Sequence, residues 1–163
     1  MILDNLLLVA GSISAAGVLT GQSMNGAGNI VSTNSIDLGS LALGGNQVGD
    51  LGAGEALEFS ISVLTAPTAG TSVKYQVIQA DDAALTSNVQ VINSTDDFPI
   101  ASLPAGTIVP LHVDRDAPYV PKRYMGIRVV NVGAIATHSI VAGMVKNVQD
   151  VKNITYKSGY AIL

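Results

Sequence analysis

Cysteine is absent from the 163 residues, so neither a disulfide framework nor a thiolate metal site can form. Tryptophan is absent too, and aromatic residues reach only 4%, which leaves little material for the stacking platforms of sugar recognition. Charge is equally scarce. Charged residues are 12% of the chain, hydrophobic residues 48%, and the mean hydropathy is +0.42. A disordered chain needs the opposite balance, so a packed core is expected. Nucleic-acid binding needs a basic surface interleaved with aromatics, whereas this chain has a net charge of −4 with five Tyr and two Phe, so no nucleic-acid partner is expected. No apolar run approaches the roughly 18 residues of a membrane span, and no membrane partner is expected either. The opening Met1–Ala10 is apolar but has no Lys or Arg, carries Asp4, and is soon broken at Gly11 and Ser12, which argues against a secretory signal.

The apolar content that remains is mostly Ala, Val, Leu and Ile. Two readings stay open: a surface partly covered by other proteins, or a compact β domain built from small side chains. Charge is unevenly spread. Residues 1–114 hold Lys74 and ten acidic residues, a net of −9, while residues 115–163 hold seven basic and two acidic residues, a net of +5. Such asymmetry serves partner contacts unless the fold disperses it.

Residues 1–55 contain 11 of the 17 glycines and no Lys or Arg. Runs such as Gly21–Gly28 and Leu43–Gly49 disfavour long regular elements, and no Gly-Lys-Ser/Thr closes them into a phosphate cradle. This stretch is expected to be an extended arm with short strands. Within it, Ile2, Leu3 and Leu6–Val9 are too apolar to stay in water, so residues 2–9 should be pinned as a strand. That strand belongs either to the protein's own sheet or to a neighbouring subunit. Residues 17–55 should follow mostly as irregular chain over a surface.

From Glu55 the period changes to two. Leu57, Phe59, Ile61 and Val63 alternate with polar residues, Ala66–Gly70 turns, and Val73, Tyr75 and Val77 return. Val89 and Val91 begin a third run after the break at Asp81-Asp82. Val109, Leu111 and Val113 form another, on which Pro110 implies an edge position or a bulge. Met125, Ile127 and Val129 alternate next, a loop is expected over Asn131–Thr137, and Ser139–Val145 is apolar on both faces, as a central or covered strand would be. The expected fold is therefore all-β, an antiparallel β-sandwich or jelly roll over residues 56–146, with the glycine-rich arm (1–55) before it and a tail (147–163) after it, one structural domain overall. Phe59, Ile61, Val77, Leu111, Ile127 and Val129 should face inward.

Chemistry is weakly represented. His112 and His138 have no nearby partner at metal-ligand spacing, and surface or interface positions are expected for both. Asp81-Asp82, Asp96-Asp97 and Asp114-Arg115-Asp116 lack the spacing of a calcium loop, and no serine stands in a nucleophile elbow. No catalytic residue, metal or cofactor is expected, and the chain is not read as an enzyme. The interaction residues expected from composition are Leu6, Leu7 and Leu8 of the arm, Arg115, Tyr119, Lys122, Arg123 and Tyr124 of the Asp114–Tyr124 loop, and Tyr156 and Tyr160 of the tail. Arg and Tyr are enriched in interface hot spots, although a loop stiffened by Pro118 and Pro121 can equally be an ordinary solvated one.

The order of landmarks across residues 1–148 resembles the jelly-roll capsid cement (decoration) proteins of short-tailed phage heads. The pieces that carry it are Met1–Leu8, Thr33–Gly39, Leu51–Leu57, Tyr75–Leu85, Lys122–Val129 and Val141–Val145. The longer glycine-rich stretch at about 17–29 and the 147–163 tail depart from that pattern. The resemblance implies a structural virion protein, assembled in the host cytoplasm and placed on the outer surface of the capsid. Its partners would be the major capsid protein and itself, as a homodimer ahead of a trimer. Such a protein needs many copies of a modest contact rather than an active site. The alternative class is a ligand- or carbohydrate-binding β-sandwich, which an exposed cluster of Tyr119, Tyr124, Tyr156 and Tyr160 would favour.

Overall fold

A computed structural model of the protein describes residues 7–39, 57–113 and 122–145. Strand alternation builds its longest elements. β7 (Glu58–Thr68), β8 (Ser72–Ala80), β12 (Tyr124–Ile135) and β13 (Thr137–Val145) are preceded by the short β1 (Leu8–Ala10), β2 (Ser12–Ile13), β3 (Leu19–Thr20), β4 (Gln22–Ser23), β5 (Gly26–Val31) and β6 (Ile36–Asp37). Between β8 and β12 come β9 (Gln90–Ser94), β10 (Phe98–Pro99), a 3-10 turn at Ile100–Ser102 and β11 (Ile108–His112).

All pairings in the two main sheets are antiparallel. The first sheet runs β1-β13-β7-β11, with β4 also on β13; the second runs β10-β8-β12-β5, with β6 on β12 and β9 on β8. Grouping β1 with β4, β5 with β6, and β9 with β10 leaves eight positions. The first pairs with the eighth, the second with the seventh, the third with the sixth and the fourth with the fifth. A ribbon of antiparallel pairs wound in this way is a jelly roll, and the protein is an antiparallel β-sandwich of that topology.

The core lies between the sheets. Phe59, Ile61 and Val63 of β7 and Ile140 and Ala142 of β13 face Val73, Tyr75 and Val77 of β8 and Met125, Ile127 and Val129 of β12; all are fully buried. The six residues expected to face inward all do so. Pro110 sits on β11, the edge strand of the first sheet, where a missing N–H costs no ladder bond. β13 lies between β7 and β1/β4, and both its inward Ile140 and Ala142 and its outward Val141 and Val145 are buried, in keeping with its apolar run.

Three expectations require correction. Residues 17–39 do not lie irregularly over the surface, because β4 joins the first sheet and β5 and β6 join the second. Gly26 and Gly28 of β5 adopt positive φ (113° and 79°), and the β5–β12 register shifts between Asn131 and Ile135. A glycine-rich strand thus pairs without any side-chain alternation to announce it. The Asn131–Thr137 loop is also mostly strand, since β12 continues to Ile135 and β13 starts at Thr137. On β9, Val91 is exposed and Ile92 packs on the core, because Ile92 is the extra residue of a bulge opposite Val77 and Ile78 of β8.

A smaller apolar cluster, Ile78, Ala80 and Leu85 with Val31, Val89 and Tyr124 around it, covers the outer side of the second sheet. The loop after β8 delivers Leu85 there. The Asp82 carboxylate accepts from the Thr86 and Ser87 amides (2.8 and 2.7 Å) and from the Thr86 hydroxyl (2.7 Å), tightening the turn, and Leu85 adopts φ 58°. Gly126 lies directly beneath, and a Cβ there would stand 2.5 Å from Leu85 Cδ1.

Candidate interaction surface

The basic residues that open β12 are held by acids from distant parts of the chain. Arg123 donates from Nε and its second guanidinium nitrogen to both oxygens of Asp37 at 2.8 and 2.9 Å, a bidentate fork. Its backbone carbonyl accepts from Leu38 N–H, and its guanidinium carbon lies 5.0 Å from the Tyr124 ring centroid. The Arg123 hydrogen bonds, joined by one from Gly39 N–H, lower the Asp37 pKa. Lys122 Nζ donates to Asp81 at 2.9 Å, and Lys122 N–H donates to the buried Gln79 side chain at 3.1 Å. Asp81 also accepts from Asn88, and these two hydrogen bonds lower its pKa.

Arg123 therefore pins β12 to β6 and Lys122 pins it to the loop after β8, with the Tyr124 ring beside Arg123. Tyr124 is half-buried against the Ile78–Leu85 cluster, and Tyr75 is fully buried, so neither offers an aromatic platform. Leu7 is exposed, whereas Leu8 is buried at β1, paired with Gly143 of the protein's own sheet. Leu6, Arg115, Tyr119, Tyr156 and Tyr160 lie outside the described residues.

Both histidines have partners. His112 is exposed and its Nδ1 lies 3.1 Å from Glu58 Oε1. His138 is not a surface residue, contrary to expectation: it is 2% exposed and lies in the core between β7 and β8. Its Nδ1 faces the Thr65 carbonyl at 3.2 Å and its Nε2 the Tyr75 hydroxyl at 3.1 Å. A carbonyl only accepts, so Nδ1 carries the proton and Nε2 accepts from Tyr75. Burial lowers the His138 pKa, with the Thr65 bond opposing, and burial raises that of Tyr75, so both groups are neutral near pH 7. The His138 backbone closes the network by donating to Asn25 Oδ1 at 2.6 Å and accepting from Met24 N–H at 2.8 Å. Short-range spacing held no trace of this, since Tyr75 and Thr65 stand 63 and 73 residues away.

The two outer faces differ sharply in charge. Among the described residues, Asp37, Lys74, Asp81, Asp82, Asp96, Asp97, Lys122, Arg123 and Arg128 belong to the second sheet or its loops. The first sheet has Glu58 alone among its Asp, Glu, Lys and Arg residues, and the β2–β3 hairpin has none. Among the described residues, acidic and basic side chains thus mix on the second sheet, and the faces differ in the amount of charge rather than in its sign.

Among the described residues, this jelly roll has one charged and one nearly uncharged outer face, and Asp37, Asp81, Asp82, Lys122 and Arg123 are engaged with other groups of the chain. Residues 18–148 match the family model described as Bbp16, and the chain belongs to the Bbp16 family. The match begins at the β2–β3 hairpin and stops just after β13, so it takes in both sheets except for β1 and leaves out residues 149–163. No curated protein matches the chain.

Proposed function

We propose that the protein is a structural component of a phage virion. It binds the outside of the major capsid protein lattice and cements neighbouring capsomers. The observation that carries this reading is where the chemically capable side chains go. Asp37, Asp81, Asp82, Lys122, Arg123, Tyr75 and His138 are all engaged in holding strands and loops together. Among the described residues, what the first sheet presents outward is its β7–β11 half, with little charge, suited to lying on another protein. The resemblance of the ordered sequence landmarks to those of phage cement proteins supports the capsid as that partner.

A cement contact is modest in each copy and strong in sum, because every bound molecule ties lattice subunits that are already held close. Its consequence is mechanical. Undecorated capsids of the phage that encodes the protein, heated with and without a saturating amount of it, should release their DNA at a higher temperature when it is present. Equal release temperatures, with the protein shown to be bound, would remove cementing and leave only decoration.

A further inference from the structure

We propose that the exposed half of the first sheet's outer face, together with the β2–β3 hairpin, is the surface that docks on an uncharged, apolar patch of the capsid shell. This rests on the capsid-binding reading and adds the face and the chemistry of the contact.

Register fixes the face. Leu8, Gly143, Ser60 and Pro110 are cross-strand partners in one outward row, and Val141, Ser62 and Ile108 form the next. On the β1–β13 side the outward Leu8, Val141 and Val145 are already buried within the chain, so that half is closed to a partner. On the β7–β11 side, Pro110 and Leu64 are exposed and Ser62 and Ile108 half-buried, and the Glu58–His112 contact closes the end away from the hairpin. The hairpin stands at the other border of this open half. Gly11 and Gly21 form its base. A Cβ on Gly11 (φ +88°) would lie 2.7 Å from the Thr20 carbonyl and 3.0 Å from Val141 Cγ2, and one on Gly21 would lie 3.0 Å from Leu64 Cδ1. Only glycine permits so close a seat, which sets the direction in which the hairpin projects. Residues 14–20 are all exposed, including Val18 at 60% and Leu19 at 40%.

Charge selects this face over the other. Docking through the second sheet would desolvate Lys74, Arg128 and the ion pairs at Asp37 and Asp81, each a cost unless the partner supplies an exact counter-charge. Apart from Glu58 and His112 at the end away from the hairpin, the first sheet's open half and the hairpin bring hydroxyl, proline and aliphatic groups, whose desolvation is favourable or cheap. The fitting partner surface is uncharged as well, because an ion placed against the hairpin and the Ser62, Leu64, Ile108 and Pro110 positions would find no counter-charge there.

The test pellets wild-type protein and variants with undecorated capsids and follows self-association by analytical ultracentrifugation. Val18→Asp/Leu19→Asp, at exposed positions that leave the core untouched, should weaken capsid binding about tenfold or more with an unchanged Tm. Val132→Asp, at an exposed position on the second sheet, should bind like wild type, and raising the salt from low to high should weaken wild-type binding little. Normal capsid binding by the hairpin variant would overturn the proposed face while leaving capsid binding intact. Loss of self-association in that variant with capsid binding retained would overturn it in favour of a second copy of the chain. Wild-type protein that does not pellet with capsids would overturn the functional reading itself, and this inference with it.

Discussion

His138 should make the folded protein sensitive to mild acid, through a window set by burial. Neutral His138 donates from Nδ1 to Thr65 and accepts at Nε2 from Tyr75. Protonation places a second N–H against a hydroxyl that already donates there, and puts a charge in the core. An unfolded imidazole titrates near pH ~6.5, and the folded pKa is lowered, chiefly by burial. The sign follows: below about pH 6.5 the unfolded state binds a proton that the folded state does not, so stability is full above that pH and falls as the solution is acidified. One proton gives a limiting slope of about 1.4 kcal/mol per pH unit, which persists until the folded pKa is reached. The lowered carboxylates Asp37, Asp81 and Asp82 act in the same direction, but only below their unfolded values near ~4, so the windows separate. Urea unfolding at half-unit steps from pH 7.5 to 5 measures the slope. A His112→Asn background leaves His138 as the sole histidine of the chain. In parallel, Tyr75→Phe strips the donor from buried Nε2 and should cost about 1–3 kcal/mol at pH 7.5. A flat stability between pH 6.5 and 5, or a nitrogen NMR spectrum with the proton on Nε2 at neutral pH, would refute the assigned network.

Phe59→Ala should destabilise the protein by about 3–5 kcal/mol in chemical denaturation, because Phe59 is fully buried between Leu111 and Met144 of the adjacent strands; a loss below about 1 kcal/mol would mean that the core is elsewhere. Gly126→Ala inserts a methyl 2.5 Å from Leu85 Cδ1 and 2.7 Å from Ser32 Oγ, and should cost about 1–3 kcal/mol and raise hydrogen exchange in the loop after β8. Lys122→Glu/Arg123→Glu sets acid against Asp81 and Asp37, so Tm should fall measurably while capsid binding stays normal; the reverse pattern, lost binding at an unchanged Tm, would make these residues the contact.

The jelly roll was legible wherever one face of a strand is buried and the other wet. Phe59-Ile61-Val63 and Met125-Ile127-Val129 declare their phase because burial selects every second side chain. Pro110 declared an edge and the Ser139–Val145 run a central strand, for reasons local to each. What escaped depends on partners far along the chain. β5 is a strand because β12 lies beside it, and its Gly26-Ala27-Gly28 has no pattern of its own. The partners of Lys122 and Arg123, Asp81 and Asp37, stand 41 and 86 residues away, beyond the reach of any local pattern. His138 looked peripheral because it opens a strand, yet β12 and β13 cross between the two sheets there, and the crossing carries it inside. The scarcity of charge on the described hairpin and first sheet, where Glu58 is the one acidic residue, was present in the composition only as a shortage with no position attached to it.

Capsid binding itself is tested most directly by titrating the purified full-length protein against undecorated capsids of the phage that encodes it and sedimenting the mixture. The expected result is saturable co-pelleting at a fixed ratio of protein to major capsid protein, largely insensitive to salt. Protein that stays in the supernatant at every concentration, while capsids pellet intact, would contradict the assignment of this jelly roll to the capsid surface.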